Sequence, residues 1–134
     1  MAQGELKDID VLNMGSKELA YLGDSVYDVY IRKALLLKGV RGVKELNKKS
    51  EEFVTASNQA DIYSKIKDKL NEDEEKVYLR GRNTKLKHAN KNVKISVYRK
   101  ATGLECVFGY LYMLEKFDRI EYLIDLIFRL NEEI

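Results

Sequence analysis

Not one proline occurs in 134 residues, and the eight glycines are scattered rather than clustered. Proline and glycine are the two residues that most strongly interrupt helices, so almost nothing in this chain forbids long helical runs. Apolar residues then recur at three-and-four spacing, the period of one helix face. Leu19, Leu22, Val26 and Val29 make one such stripe inside Ser16 to Leu37, with Ser16 as the expected N-cap and Gly39 as the expected stop. Leu46, Phe53, Val54, Ile62 and Ile66 continue the period, and Thr55, Ser57 and Asn58 mark a break that splits Val43 to Leu70 into two helices. Asn71 with Glu74 three residues on has the form of a capping box opening a short helix over 72–80, with Gly81 as its stop. Leu104, Val107, Phe108, Leu111 and Leu114 give a further stripe, and Ile120, Leu123, Ile124, Ile127 and Leu130 the last. The expected fold class is all-α: about five to seven helices around one core, in a single domain over 1–134.

Several classes of protein are excluded by the same residues. The longest aliphatic run, Ala34 to Leu37, is far below the ~20 apolar residues of a spanning helix. Met1 to Asp10 has no apolar signal core, so a cytoplasmic protein that does not enter the membrane is expected. The one cysteine, Cys106, can neither close an internal disulfide nor build a zinc site alone, and is read as a small buried residue.

Net charge is only +2, but its distribution is uneven. From Lys76 to Leu104 there is no acid, while Lys76, Arg80, Arg82, Lys85, Lys87, Lys91, Lys94, Arg99 and Lys100 supply nine positive charges. The other fifteen Lys and Arg face all 22 Asp and Glu, a net of −7. An acidic body with one basic segment points to an anionic partner, a phosphate backbone above all; a solvated lysine-rich loop is the plainer alternative. The stretch from Arg82 to about Lys94 lacks an apolar period and is expected to be a mobile basic loop.

Two carboxylates stand out. Asp24, beside Gly23, sits in the middle of the first long helix, where both residue types are poor helix formers. It lies nearly opposite Leu22 and Val26, on the face of Tyr21 and Asp28. Glu105 stands opposite Val107 and shares a face with Thr102 and Gly109, a glycine that would permit close approach. If the two helices pack side by side, their hard oxygen ligands suit Mg²⁺ or Mn²⁺ with room for water and phosphate. As residues alone, the plainer reading is two ordinary exposed helix acids, with the glycines as packing contacts.

The segment Glu18-Leu19-Ala20-Tyr21-Leu22-Gly23-Asp24-Ser25-Val26 resembles the signature helix of the ribonuclease III catalytic domain, and Ala101-Thr102-Gly103-Leu104-Glu105-Cys106-Val107-Phe108-Gly109 resembles that family's second signature. Gly81-Arg82-Asn83, Tyr98-Arg99-Lys100-Ala101-Thr102-Gly103 and Gly109-Tyr110-Leu111-Tyr112 are similar to its short branch, Mini-ribonuclease III, which lacks a double-stranded-RNA-binding domain. The resemblance implies the family's helical endonuclease fold, a homodimer paired through the signature-helix regions, and Mg²⁺-dependent cleavage of double-stranded RNA. Asp24 and Glu105 would be the catalytic and metal-holding acids, activating a water for in-line attack and leaving 5′-phosphate and 3′-hydroxyl ends. Longer family members carry acids where this chain has Lys17, Ala20 and Thr102, so only these two carry over. Arg82, Asn83, Lys85, Lys87, Lys91, Arg99 and Lys100 would bind RNA, with Asn83 and Arg99 as alternatives for fixing the loop base and a helix start. The implied substrate is precursor 23S ribosomal RNA, with a ribosomal protein as a further partner that shapes it. His88, the lone histidine, falls in the basic loop and is not expected to act as a base. Tyr27, Tyr30, Tyr110 and Tyr112 are expected to pack helices or the dimer interface. Two readings of other kinds remain: a catalytically silent RNA-binding scaffold with the same fold, and a helical protein-interaction domain with a basic face.

Overall fold

The computed structural model describes residues 8–85 and 94–132. Among these residues every regular element is helical: α1 (Asp8–Leu12), α2 (Ser16–Leu37), α3 (Val43–Val54), α4 (Ala56–Ile66) with a single 3-10 turn after it at Lys67–Lys69, α5 (Glu72–Arg82), α6 (Ile95–Met113) and α7 (Phe117–Glu132). No helix among them is long and apolar enough to cross a membrane.

The expected break at Thr55 is a helix junction: Thr55 takes an extended backbone and its hydroxyl accepts from the Asn58 N–H, opening α4. The Asn71–Glu74 capping box forms reciprocally at the start of α5. Gly39 follows α2 at φ +95, and the paired bonds Gly39 N–H to Leu36 C=O and Val40 N–H to Leu35 C=O close the helix as a Schellman motif.

Helix α6 is the centre of the molecule, with Leu104, Val107 and Phe108 wholly buried and Tyr110 and Leu111 nearly so. It packs against α2, α4, α5 and α7. Tyr27 of α2 meets the edge of Phe108 at 5.1 Å between ring centroids, and Phe53 of α3 stacks on Phe128 of α7 at 4.3 Å. Two glycine crossings bring its backbone against its neighbours. On one side a Cβ at Gly23 would lie 1.7 Å from the Glu105 carbonyl oxygen, and one at Gly109 2.1 Å from that of Leu19. On the other, a Cβ at Gly81 would lie 2.9 Å from the Gly103 Cα, and one at Gly103 2.7 Å from the Tyr78 ring. No side chain fits at either crossing.

Three expectations are corrected, two of them by these crossings. The buried face of α2 runs through Leu19, Gly23, Val26, Tyr27, Ile31 and Leu35, whereas Val29 is 61% exposed. A hydropathy stripe gives glycine no weight, yet Gly23 is where α6 comes closest. Gly81 does not stop α5; it is buried inside the helix, which runs to Arg82 with Asn83 as its C-cap. Ser16 is the first residue of α2 and Gly15 holds the cap position, so no side chain caps that end. Tyr27 and Tyr110 are buried as expected, while Tyr112 is exposed and meets the edge of Phe117. Helix α1 was not anticipated, because five residues carry no period; Val11 nonetheless buries completely. The basic loop expected over 82–94 begins in α5 and ends at the residue before α6, and 86–93 lie outside the described residues.

One buried ion pair ties the far end together. Glu74 is wholly buried, and its carboxylate accepts two hydrogen bonds of 2.8 Å from the Arg119 guanidinium of α7. It also accepts from the Asn71 N–H in the capping box, so its two oxygens take three hydrogen bonds.

Gly23→Ala or Gly109→Ala forces α2 and α6 apart and should cost about 3 kcal/mol or more. Gly39→Ala, at positive φ but facing open space, should cost about 1 kcal/mol. Urea unfolding midpoints of the three variants check the ranking, and equal losses would refute the close-crossing account.

Candidate active site

The α2–α6 crossing decides where the acids stand. Gly23 seats against the Glu105 backbone, so the next residue on α2, Asp24, is carried to the Glu105 side chain. The two carboxylates, 81 positions apart in sequence, come within hydrogen-bonding reach. Asp24 is exposed on the solvent side and Glu105 is half-buried beneath it. Burial is the main cause that pushes the Glu105 carboxyl up to about 8, and the Asp24 charge adds to it. A buried amide opposes this rise: Gln59 of α4, 2% exposed, approaches the Glu105 carboxylate and stabilises its charged form. Gln59 also donates to the Val54 carbonyl at 3.4 Å. Below the acids, the Tyr27 hydroxyl donates to the Phe53 carbonyl at 2.7 Å and locks α2 to the end of α3.

Gln59 is the site residue that the sequence reading missed. Its signal was a polar side chain in register with Ile62 and Ile66, on the buried stripe of α4. The neighbouring Cys106 is completely buried, its thiol donates to the Ser16 carbonyl at 3.1 Å, and burial pushes it up to about 12. It is a packing residue without thiolate chemistry at neutral pH.

The basic segment divides. Arg80 is half-buried and donates to the Leu12 and Met14 carbonyls, tying α5 to the α1–α2 turn. Arg82 is half-buried and its Nε donates to the Asn83 side chain at 3.2 Å. Asn83, Lys85, Arg99 and Lys100 are exposed. Lys87, His88 and Lys91 lie outside the described residues.

Two acid side chains at a helix crossing form a donor set of carboxylate oxygens. Among the described residues no group of three or more His, Cys, Asp or Glu stands at metal-binding distance. That composition fits a small hard cation such as Mg²⁺, which takes one or two carboxylates and keeps its other positions for water and substrate phosphate. It does not fit zinc.

A family model described as the ribonuclease III domain matches residues 17–116, a span that contains both acids and both glycine crossings. The chain belongs to the ribonuclease III domain family. Within that family it is similar to the Mini-ribonuclease 3 of Clostridium tetani, 43% identical over 92% of this chain and 83% of that one. The Mini-ribonuclease 3 of Streptococcus pneumoniae is 40% identical over 87% of this chain and 92% of its own length. A crystal structure of a Fusobacterium nucleatum protein superposes with a TM-score of 0.79 at 32% identity, covering 94% of this chain and 99% of that one. The ribonuclease III fold expected from the two signature segments is thereby established, and Asp24 and Glu105 meet where those segments cross.

In the folded, metal-free chain Glu105 holds its proton to about pH 8, against an ordinary value of 4.5. Between those limits the folded state binds the extra proton, so this group's contribution to stability is full below the lower value and lost as pH rises to the upper. Glu105→Gln, neutral throughout, should therefore gain Tm relative to the parent as pH increases from 5 to 8 in chelator, following the window set by the two values. A constant Tm difference across that range would show that the carboxyl is not held protonated.

Proposed function

We propose that the chain is a Mg²⁺-dependent endoribonuclease that cuts both strands of an RNA duplex. The observation that carries this reading is the meeting of Asp24 and Glu105 at the glycine crossing of α2 and α6. Two carboxylates forced together store mutual repulsion, and a divalent cation relieves it in place of a shared proton. When bound, Mg²⁺ supplies an acidified water and neutralises charge that develops on the scissile phosphate. Glu105, half-buried on α6, and Asp24, open to solvent, hold that cation at the protein surface where a duplex can reach it.

Recognition of the duplex falls to the basic segment. Asn83, Lys85, Arg99 and Lys100 project into solvent at the end of α5 and along the first turns of α6, and Arg82 lies at their base. With Lys87 and Lys91 of the same segment, they supply phosphate contacts on A-form RNA, read by shape and 2′-hydroxyls instead of base edges. Hydrolysis leaves 5′-phosphate and 3′-hydroxyl ends. The family resemblance favours paired ends of precursor 23S ribosomal RNA as the substrate, with a ribosomal protein assisting by shaping it.

A second copy of the chain completes the arrangement, so that each subunit cuts one strand. The outer face of α2 supports this reading: Tyr21 is 83% and Val29 61% exposed, two turns apart with Ser25 between. Large apolar side chains at that spacing on one face suit an isologous contact between signature helices.

The deciding experiment is cleavage of a long RNA duplex with Mg²⁺ and with chelator. Asp24→Asn and Glu105→Gln should each slow cutting by roughly a hundredfold or more. Duplex bound but intact under every condition would favour the silent scaffold instead. In binding assays Lys85→Ala with Lys100→Ala should reduce the slope of log affinity against log salt by roughly one per lost contact, and an unchanged slope would remove these residues from the RNA interface. Sedimentation of the parent as a dimer and of Tyr21→Asp as a monomer is expected; a monomeric parent would refute the paired arrangement.

A further inference from the structure

Arg80 and Arg82 stand two residues apart at the end of α5, and the fold uses them differently. Both Nη groups of Arg80 donate to main-chain carbonyls, those of Leu12 and Met14. Among the described residues Arg82 has neither a carbonyl nor a carboxylate partner; its side-chain hydrogen bond runs from Nε to the Asn83 Oδ1 at 3.2 Å. Asn83 is not explained by the helix end it occupies. As C-cap it sits at φ −87 and ψ −1, a right-handed turn backbone that accepts most residues. The carbonyls of the last turn are closed by other groups: that of Leu79 by the Asn83 main-chain N–H at 3.0 Å, that of Gly81 by the Thr84 N–H at 3.2 Å, and that of Arg80 by the Thr84 hydroxyl at 2.9 Å. The exposed Asn83 side chain takes no part in closing the helix, and the group it does meet is the Arg82 guanidinium.

We infer that Asn83 is a positioning residue for Arg82: by accepting from Nε it fixes the guanidinium plane and leaves the Nη edge as a two-pronged donor for one phosphate of an RNA backbone. The inference rests on the duplex-RNA reading proposed above. The assignment of atoms follows from chemistry. Nε–H only donates, so the oxygen end of the amide must face it. A guanidinium is a rigid plane of donors, so holding one N–H sets the direction of the rest, and the two Nη groups match the spacing of two phosphate oxygens. A long side chain left loose must be ordered when its ligand arrives; the half-buried, tethered Arg82 is ordered beforehand. Asn83 is uncharged, so it seats the guanidinium without cancelling the charge that a phosphate needs. A carboxylate would seat it more firmly and cancel that charge, and the stretch from Lys76 to Leu104 contains no acid. Asn83 contributes to phosphate binding through Arg82.

The test measures equilibrium binding of a synthetic RNA duplex across a salt series, in chelator so that none is cut, with the Tm of each variant alongside. Arg82→Ala should weaken binding about tenfold and reduce the slope of log affinity against log salt by about one. Asn83→Ala should weaken binding about fivefold with slope and Tm unchanged, because the charge stays and only its orientation is lost. Arg82→Lys should match Asn83→Ala, since lysine keeps the charge but has no planar fork to seat. Asn83→Asp still accepts from Nε but cancels the charge, so it should lower the slope as Arg82→Ala does. In the Arg82→Ala background, Asn83→Ala should have no further effect. Affinity within twofold of the parent in Arg82→Ala or in Asn83→Ala would overturn the assignment while leaving the duplex-RNA reading standing. So would an undiminished effect of Asn83→Ala in the Arg82→Ala background, or a loss of affinity that follows a falling Tm. A parent chain that does not bind the duplex would instead overturn both that reading and the role given to Asn83.

Discussion

The contact on which this molecule depends is backbone against backbone, where Gly23 of α2 meets the Glu105–Gly109 turn of α6. Ordinary helix pairs stand 8–10 Å apart because side chains separate them. Here each helix contributes a glycine, and a Cβ on either would collide with a carbonyl oxygen of the other. That closeness has two consequences at once. It lets the later part of α6, from Ala101 to Leu111, bury most of its side chains between α2 and the opposite Gly81–Gly103 crossing with α5. It also places the residues flanking the contact, Asp24 and Glu105, where longer-range packing would have kept two acids apart.

Electrostatics at that point oppose folding. A half-buried carboxylate beside a second one is held protonated well above its ordinary range, and the helices that impose this are fixed by hydrophobic contacts that do not respond to pH. In the proposed function that repulsion is what a small dication relieves. At the opposite end, the buried Glu74 meets Arg119 with full bidentate geometry and serves a helix cap as well. The buried Glu74 is thus satisfied within the fold, and the half-buried Glu105 is left facing a second carboxyl group.

The cations of the basic segment among the described residues likewise divide by burial into two kinds. Arg80 is consumed by main-chain carbonyls of the α1–α2 turn, holding the start of the signature helix against α5. Lys85, Arg99 and Lys100 remain in solvent, where a polyanion can meet them. Charge counting treats these residues alike; only the positions of the carbonyls distinguish them.

Helical class, the breaks at Thr55 and Asn71, the Gly39 stop, and the chain's identity as a ribonuclease III domain were all legible in the residues themselves. Each depends on local rules: apolar period, side-chain capping, backbone freedom, or a contiguous signature. Asp24 was legible as a candidate because an acid beside a helical glycine is anomalous, and Glu105 because it closes the acid-free segment with a glycine one turn on. Three features depended on what packs against what. Gly81 reads locally as a helix stop but is a contact surface for α6; Val29 reads as core but faces solvent; and Gln59 reads as an ordinary polar residue but sits buried against Glu105. Glycine contributes nothing to hydropathy and a lone glutamine carries no motif, so their roles exist only once α2, α4 and α5 have closed around α6. The sequence by itself determined the helical class, the longer helices and, through the two signature segments, which two acids are the candidates, because those are properties of neighbours along the chain. The tertiary structure decided that the acids meet, because that requires two glycines, 86 positions apart, to share one point in space.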